Sequence, residues 1–253
     1  MMSKYDAYML FDNPIPYKKL LIYPIKMRDY LIFHQLASCL MLEKNSIPDP
    51  KLIQMTYLQY MFFISNKDDN LISIFDALLR LVLDKRKEKF KIEYSVDTKA
   101  RPLFKIEDVV YNSEDFENIR SIITEQNAIS LPDEKIQKEV RLKMEEARRF
   151  RQKINKAKLA SLEEQILALS MYSGWDIEKV YDMTIRKFFM ALKRANHMIM
   201  SNIYLTASMS GFVTFKDKSA TRGWLSDIDD ENRNDELISL DYVNKNVSGS
   251  VAK

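Results

Sequence analysis

The spacing of hydrophobic and polar positions changes several times along this chain, and each change predicts an element. Residues 14–27 carry Pro14, Pro16 and Pro24, which forbid a helix, while Tyr17, Leu20, Leu21, Ile22, Tyr23 and Ile25 favour a strand. A first helix is predicted over residues 27–42, a loop rich in turn formers over 45–50, and a second helix over 51–64. A third starts after Asn70, a good N-cap, with Leu71, Ile74, Phe75, Leu78 and Val82 on one face. These three helices share a continuous apolar set and read as scaffold. The period then drops to two. Phe90, Ile92, Tyr94 and Val96 alternate with polar residues, and Phe104, Ile106 and Val110 do so again after a break at 98–102. The reading is a β-hairpin at about 89–111, with pairing to the extended N-terminal stretch left open. Ser113 is expected to cap a helix reaching about Gln126, with Phe116, Ile119, Ile122 and Ile123 turned inward.

From residue 133 to 158 the pattern changes again. Ile136, Val140, Met144, Ala147, Phe150, Ile154 and Ala157 recur with a mean spacing of three and a half residues, that of a narrow coiled-coil seam. Nine basic and three acidic residues lie between 138 and 158, a local charge of +6. Such a helix projects from the body or lies across it, as either a solvated face or a seam for a partner helix. Ser161-Leu162-Glu163-Glu164 is a capping box that opens a helix to about Tyr172, ended by Ser173-Gly174. Asp176 caps a short helix to Tyr181, and Thr184 caps a longer one to about Ala207. A brief strand is expected at 212–215. Residues 226–241 hold seven acidic residues and one arginine, with too little apolar surface to fold alone.

The fold expected is α+β, predominantly α-helical, with one β-hairpin or small antiparallel sheet and a protruding charged helix. Four regions follow: an N-terminal helical domain at 1–130, a charged connecting helix at 131–160, a C-terminal helical domain at 161–225 and an acidic flexible tail at 226–253.

Composition narrows the chemistry. The 253 residues contain four glycines, none before Gly174, so neither G-x-G-x-x-G nor a Walker-type phosphate loop can be written. One cysteine (Cys39) and two histidines (His34, His197) cannot build a four-ligand structural zinc site or an intramolecular disulfide. Cys39 sits in an apolar run one helical turn after His34. The packing reading outweighs a Cys/His nucleophile, for which no third orienting group is apparent. Carboxylates are scattered. No signal peptide is legible at the N-terminus, and the longest uncharged stretch, 195–215, holds too many polar side chains for lipid. The expectation is a cytoplasmic protein without enzymatic activity, cofactor, metal, membrane or small-molecule substrate.

Two binding readings remain. In the first, Val140, Met144, Ala147 and Ile154 give apolar contact to a partner protein, while Arg141, Lys143, Arg148, Arg149 and Arg151 set orientation. In the second, residues 161–200 form a helix-turn-helix with Arg186, Lys187, Lys193 and Arg194 on phosphates, aided by the basic helix 138–158. Against it, Ile185, Phe188, Phe189, Met190 and Leu192 suit burial better than base edges.

Scattered motifs also resemble a known group. Pro16-Tyr17, Ile22-Tyr23-Pro24-Ile25-Lys26 and Asp29-Tyr30 are followed by the loop Lys44-Asn45-Ser46-Ile47-Pro48-Asp49 and by Met55-Thr56-Tyr57-Leu58. Phe116-Glu117, Ile119-Arg120, Glu125-Gln126-Asn127, Gly174-Trp175 and Met183-Thr184-Ile185-Arg186-Lys187-Phe188 complete the set. Over residues 15–220, in pieces, they resemble tail-assembly chaperones and baseplate proteins of large tailed bacteriophages. That resemblance implies a non-enzymatic structural or assembly protein, made in the host bacterial cytoplasm. It would contact other tail or baseplate proteins, or other copies of itself.

Overall fold

A computed structural model describes residues 5–44, 49–65, 70–84, 92–96, 101–131, 143, 146, 160–211 and 225. The architecture is α+β and mostly helical, with one two-stranded and one three-stranded antiparallel sheet among the described residues. The chain divides into two compact units, Met1–Phe188 and Phe189–Lys253. In the first unit, α1 (Asp6–Leu10) precedes a hairpin of β1 (Ile15–Tyr17) and β2 (Leu20–Ile22). Three proline positions thus leave room for two short strands, not one long one. The expected helix at 27–42 is a composite: 3₁₀ turns at Met27–Asp29 and Ala37–Leu40 flank α2 (Tyr30–Leu36).

The second predicted helix is two. α3 (Pro50–Gln54) ends at Met55, and α4 (Tyr57–Ser65) begins one residue after Thr56. The break is encoded by a second capping box: Gln59 N–H donates to Thr56 Oγ1 at 3.3 Å, and Thr56 N–H donates to Gln59 Oε1 at 2.9 Å. α5 (Asn70–Val82) has Asn70 already inside the helix. It buries Leu71, Phe75, Leu78 and Val82 as expected, with Leu79 and Leu81 besides, while Ile74 stays half-buried.

The predicted second strand splits, so the hairpin is a three-stranded meander of β3 (Ile92–Val96), β4 (Pro102–Ile106) and β5 (Val109–Tyr111). Glu107, at φ 52°, turns the chain between Ile106 and its partner Val109. Among the described residues this sheet does not pair with β1 or β2. α6 (Ser113–Gln126) is capped by Asn112 rather than Ser113, because the Asn112 side chain reaches the N–H groups of Glu114 and Asp115 at 2.9 and 3.0 Å. Phe116, Ile119, Ile122 and Ile123 do face inward.

The core is aromatic at its centre. Phe116 lies 5.8 Å from Tyr57, 5.3 Å from Phe75 and 6.3 Å from Phe104, measured between ring centroids, and Phe104 stacks on Tyr111 at 5.2 Å. Beside them Arg120 is buried over the Tyr57 ring at 3.6 Å, its Nε donating to the Leu40 carbonyl at 2.9 Å and its Nη1 to Glu117 at 3.3 Å.

Residues 22–27 tie the unit together. Tyr23 N–H donates to the Val82 carbonyl at 2.7 Å, and Ile25 N–H donates to Asn127 Oδ1 at 2.9 Å. Met27 N–H reaches the Met183 carbonyl at 2.8 Å and Ile185 N–H returns to the Ile25 carbonyl at 2.9 Å, making an isolated antiparallel bridge between Lys26 and Thr184.

Scarcity of glycine leaves left-handed positions to other residues: Asp12, Lys18, Asp84, Glu107 and Ala128 all have φ between 51° and 56°. Ala128 closes α6 in a Schellman turn, with Ile129 N–H on the Thr124 carbonyl at 2.9 Å and Ala128 N–H on that of Glu125 at 3.4 Å. A Cβ strains this conformation by roughly 1–2 kcal/mol, and glycine returns part of that gain as unfolded-state entropy. Ala128→Gly is therefore expected to stabilise the protein by about 0.5 kcal/mol, read as a higher urea midpoint with unchanged slope.

Candidate interaction surfaces

Three helices follow residue 160 among the described residues. Ser161, extended at ψ 161°, accepts Glu164 N–H at 3.2 Å while Glu164 accepts Ser161 N–H at 2.6 Å, so the predicted capping box opens α7 (Leu162–Ser173). Gly174, at φ 67°, supplies the left-handed stop. Asp176 caps α8 (Ile177–Asp182) through Glu178 N–H at 3.1 Å. Thr184 Oγ1 accepts Lys187 N–H at 3.4 Å at the start of α9 (Ile185–Met209). On the surface of the first unit, Arg28 meets Glu178 at 3.0 Å and Asp182 at 3.5 Å. The pull of those carboxylates, chiefly the hydrogen bond from Glu178, raises the Arg28 pKa.

α7 is apolar on two sides. Ile166 and Leu169 are buried. Glu163, Leu167 and Met171 form one exposed row at i, i+4 spacing, and Glu164, Ala168 and Tyr172 form a second. Leu167 is 43% exposed, Tyr172 48% and Met171 83%. The sequence contained a signal for this face: Leu162, Ile166, Leu167, Leu169, Met171 and Tyr172 give a helix apolar nearly all round, which a one-sided anchor cannot cover.

Of the residues expected to contact a partner, the seam residues Val140, Met144, Ala147 and Ile154 and the flanking Arg141, Arg148, Arg149 and Arg151 lie outside the described residues. Lys143 is helical and exposed, as is Glu146; neither is a seam position. The expected strand at 212–215 and the acidic residues 226–241 also lie outside. Among the helix-turn-helix candidates, Lys187 is held by Asp12 at 2.7 Å, and Ile185 and Phe188 are buried.

Cys39 and His34 are not brought together as a catalytic pair. Cys39 is buried, and loss of solvent pushes its thiol pKa up to about 12, so it is not a thiolate at neutral pH. His34 is exposed and lies against the Tyr30 ring at 5.7 Å. Among the described residues, no cluster of three or more His, Cys, Asp or Glu side chains could hold a metal ion. A cleft of about 550 Å³ is lined by Thr56, Gln59, Arg101, Ser113, Glu114 and Glu117. Its members serve neighbours: Thr56 Oγ1 donates to Ser113 Oγ at 3.2 Å, and Glu117 accepts Tyr57 N–H at 3.2 Å. No helix among the described residues is long and apolar enough to cross a membrane.

A family model described as the YomV second domain matches residues 153–229, a stretch that includes α7, α8 and α9. Its name is phage-derived, so this part of the chain is similar to a phage-associated domain family. No curated protein and no solved structure matches the chain.

Proposed function

We propose that this protein works in phage particle assembly, as a tail or baseplate component or assembly factor that binds other proteins and catalyses nothing. The observation that carries the reading is the outer face of α7, where Leu167, Met171 and Tyr172 stand in solvent within the stretch similar to a phage-associated family. Exposed apolar side chains aligned on one helix face mark a contact surface. The resemblance of the scattered motifs to tail and baseplate proteins directs the reading to that part of the particle.

Fractionation of particles and assembly intermediates from the encoding phage, followed by mass spectrometry, tests it. The chain is expected in tail or baseplate fractions, and the double variant Leu167→Asp/Met171→Asp is expected to fall at least tenfold there while remaining folded by circular dichroism. Wild-type protein found only free of all tail fractions overturns the proposal.

A further inference from the structure

Two edge strands of the first unit border one cleft. Among the described residues β2 pairs only with β1, and β5 only with β4. The cleft, of about 290 Å³, has Leu20 and Leu21 of β2 on one side and Val109 and Tyr111 of β5 on the other. Leu83 and Ile106 give it a buried apolar lining. The strand register shows which backbone groups face out. A two-residue loop joins Tyr17 to Leu20, and such a loop is closed by a pair that exchanges both hydrogen bonds. Bonded and non-bonded pairs then alternate, so Ile15–Ile22 is bonded and Pro16–Leu21 is not. The N–H and C=O of Leu21 therefore point away from β1, and neither has a hydrogen-bond partner among the described residues. On the other edge of the hairpin Pro16 has no N–H to offer, which blunts that edge. Leu21 carries no such protection, and its side chain is 48% exposed.

The walls add recognition chemistry. Tyr111 is buried, and its hydroxyl lacks a hydrogen-bond partner among the described residues. Burial, then the charges of Asp115 and Glu107, push its pKa up to about 12, which keeps it a donor at neutral pH. Glu107 and Asp108, both exposed, set two carboxylates in the lining against one ammonium at Lys19, and none of the three joins an ion pair among the described residues.

We infer that this cleft binds an extended, basic segment of a partner protein, which adds to β2 as an antiparallel strand. A volume of about 290 Å³ suits one extended segment and not the edge of a second folded sheet. The residue set against Leu21 exchanges both hydrogen bonds with it and directs its side chain to the same, solvent-facing side. The residues before and after it turn inward, toward Leu83 and Ile106. Apolar residues therefore alternate with lysine or arginine in the segment, the basic ones drawn to Glu107 and Asp108. This chain's own next strand is committed elsewhere: Ile92 of β3 pairs with Ile106 on the side of β4 away from β5. The surface goes beyond the α7 reading and uses none of its residues.

Fluorescence anisotropy of labelled Thr-Val-Lys-Val-Lys-Thr against the full chain tests the inference, and saturable binding is expected. Methylating the two lysine backbone nitrogens is expected to weaken binding at least tenfold, because those amides face β2. The same change at the valines is expected to cost less than threefold. Leu21→Pro removes the receiving amide and is expected to lose at least tenfold while circular dichroism stays that of wild type. Glu107→Lys/Asp108→Lys is expected to reverse the preference, binding the peptide with glutamate at both lysine positions more tightly than the original. Absence of saturation by about 1 mM peptide overturns the inference, and it is the result that a cleft filled by the chain's own residues or by a second copy gives. Equal affinity for the lysine-methylated and unmodified peptides overturns it as well.

Discussion

Phe116→Ala is expected to destabilise the protein by about 4 kcal/mol, the upper part of the range for truncating a fully buried phenylalanine. The ring is 1% exposed and contacts rings from three other elements: Tyr57 of α4, Phe75 of α5 and Phe104 of β4. Removing it opens a cavity that those side chains cannot fill, because each is held by a further neighbour. Tyr57 donates its hydroxyl to the Cys39 carbonyl at 3.1 Å, and Phe104 stacks on Tyr111. The melting temperature is expected to fall by about 10 °C, and Phe116→Leu, which keeps much of the volume, should recover more than half of the loss. Equal stability of Phe116→Ala and wild type in urea would show that the aromatic cluster is not the centre of the core.

The second large effect is expected at Asp115. Its carboxylate is nearly buried, accepts Tyr17 OH at 2.8 Å and Asn112 N–H at 3.0 Å, and pairs with Lys18 Nζ at 2.6 Å. Burial alone would raise its pKa, but Lys18, the Asn112 N–H and Tyr17 together outweigh burial and hold it below the usual aspartate value. A depressed carboxylate pKa contributes stability that is present above the unfolded pKa and lost as pH falls through the folded one. Asp115→Asn should therefore cost about 2 kcal/mol at neutral pH, typical of hydrogen bonds to a charged group. The gap from wild type should narrow as pH drops below about 4. Urea midpoints measured from pH 7 down to pH 3 check this, and a constant gap would refute the linkage. The same cluster has an alkaline limb: burial, and then the bond to Asp115, push the Tyr17 pKa up to about 12. The neutral phenol's contribution is complete below about pH 10 and is lost as pH rises from there through about 12.

Element types were largely legible from spacing, because a two-residue or 3.6-residue period is a property of one element alone. Asn112 illustrates where this stops: Asn112 and Ser113 are both good caps, and only the position of Asp115, fixed by Tyr17 and Lys18 from β1 and its turn, selects the earlier one. The split at Glu107 was hidden for a related reason. A left-handed φ at glutamate has no glycine to announce it, and tertiary packing enforces it. Thr56-Tyr57-Leu58-Gln59 is readable as a capping box, but Leu52, Ile53 and Met55 before it and the apolar run 60–64 after it let a single helix pattern run through the break. The motifs carrying the phage resemblance have a structural explanation. Ile22, Tyr23 and Ile25 meet Gln126, Val82, Asn127 and Ile185 through hydrogen bonds, so several of these motifs converge on one junction. The α7 face has a local signal, apolar residues nearly all round the helix, but which of them stay exposed is a tertiary property: Ile166 and Leu169 are buried and Leu167, Met171 and Tyr172 are not.

The bridge between Lys26 and Thr184 also governs how this molecule is made. At 5–20 residues per second, the ribosome takes about 8–30 s to synthesise residue 185 after residue 27. Through that interval the Ile25 carbonyl and the Met27 amide lack their eventual partners, so the nascent N-terminal half emerges with an unclosed edge. Slower decoding downstream would lengthen the window in which a chaperone, or a neighbouring nascent chain, could occupy that edge first.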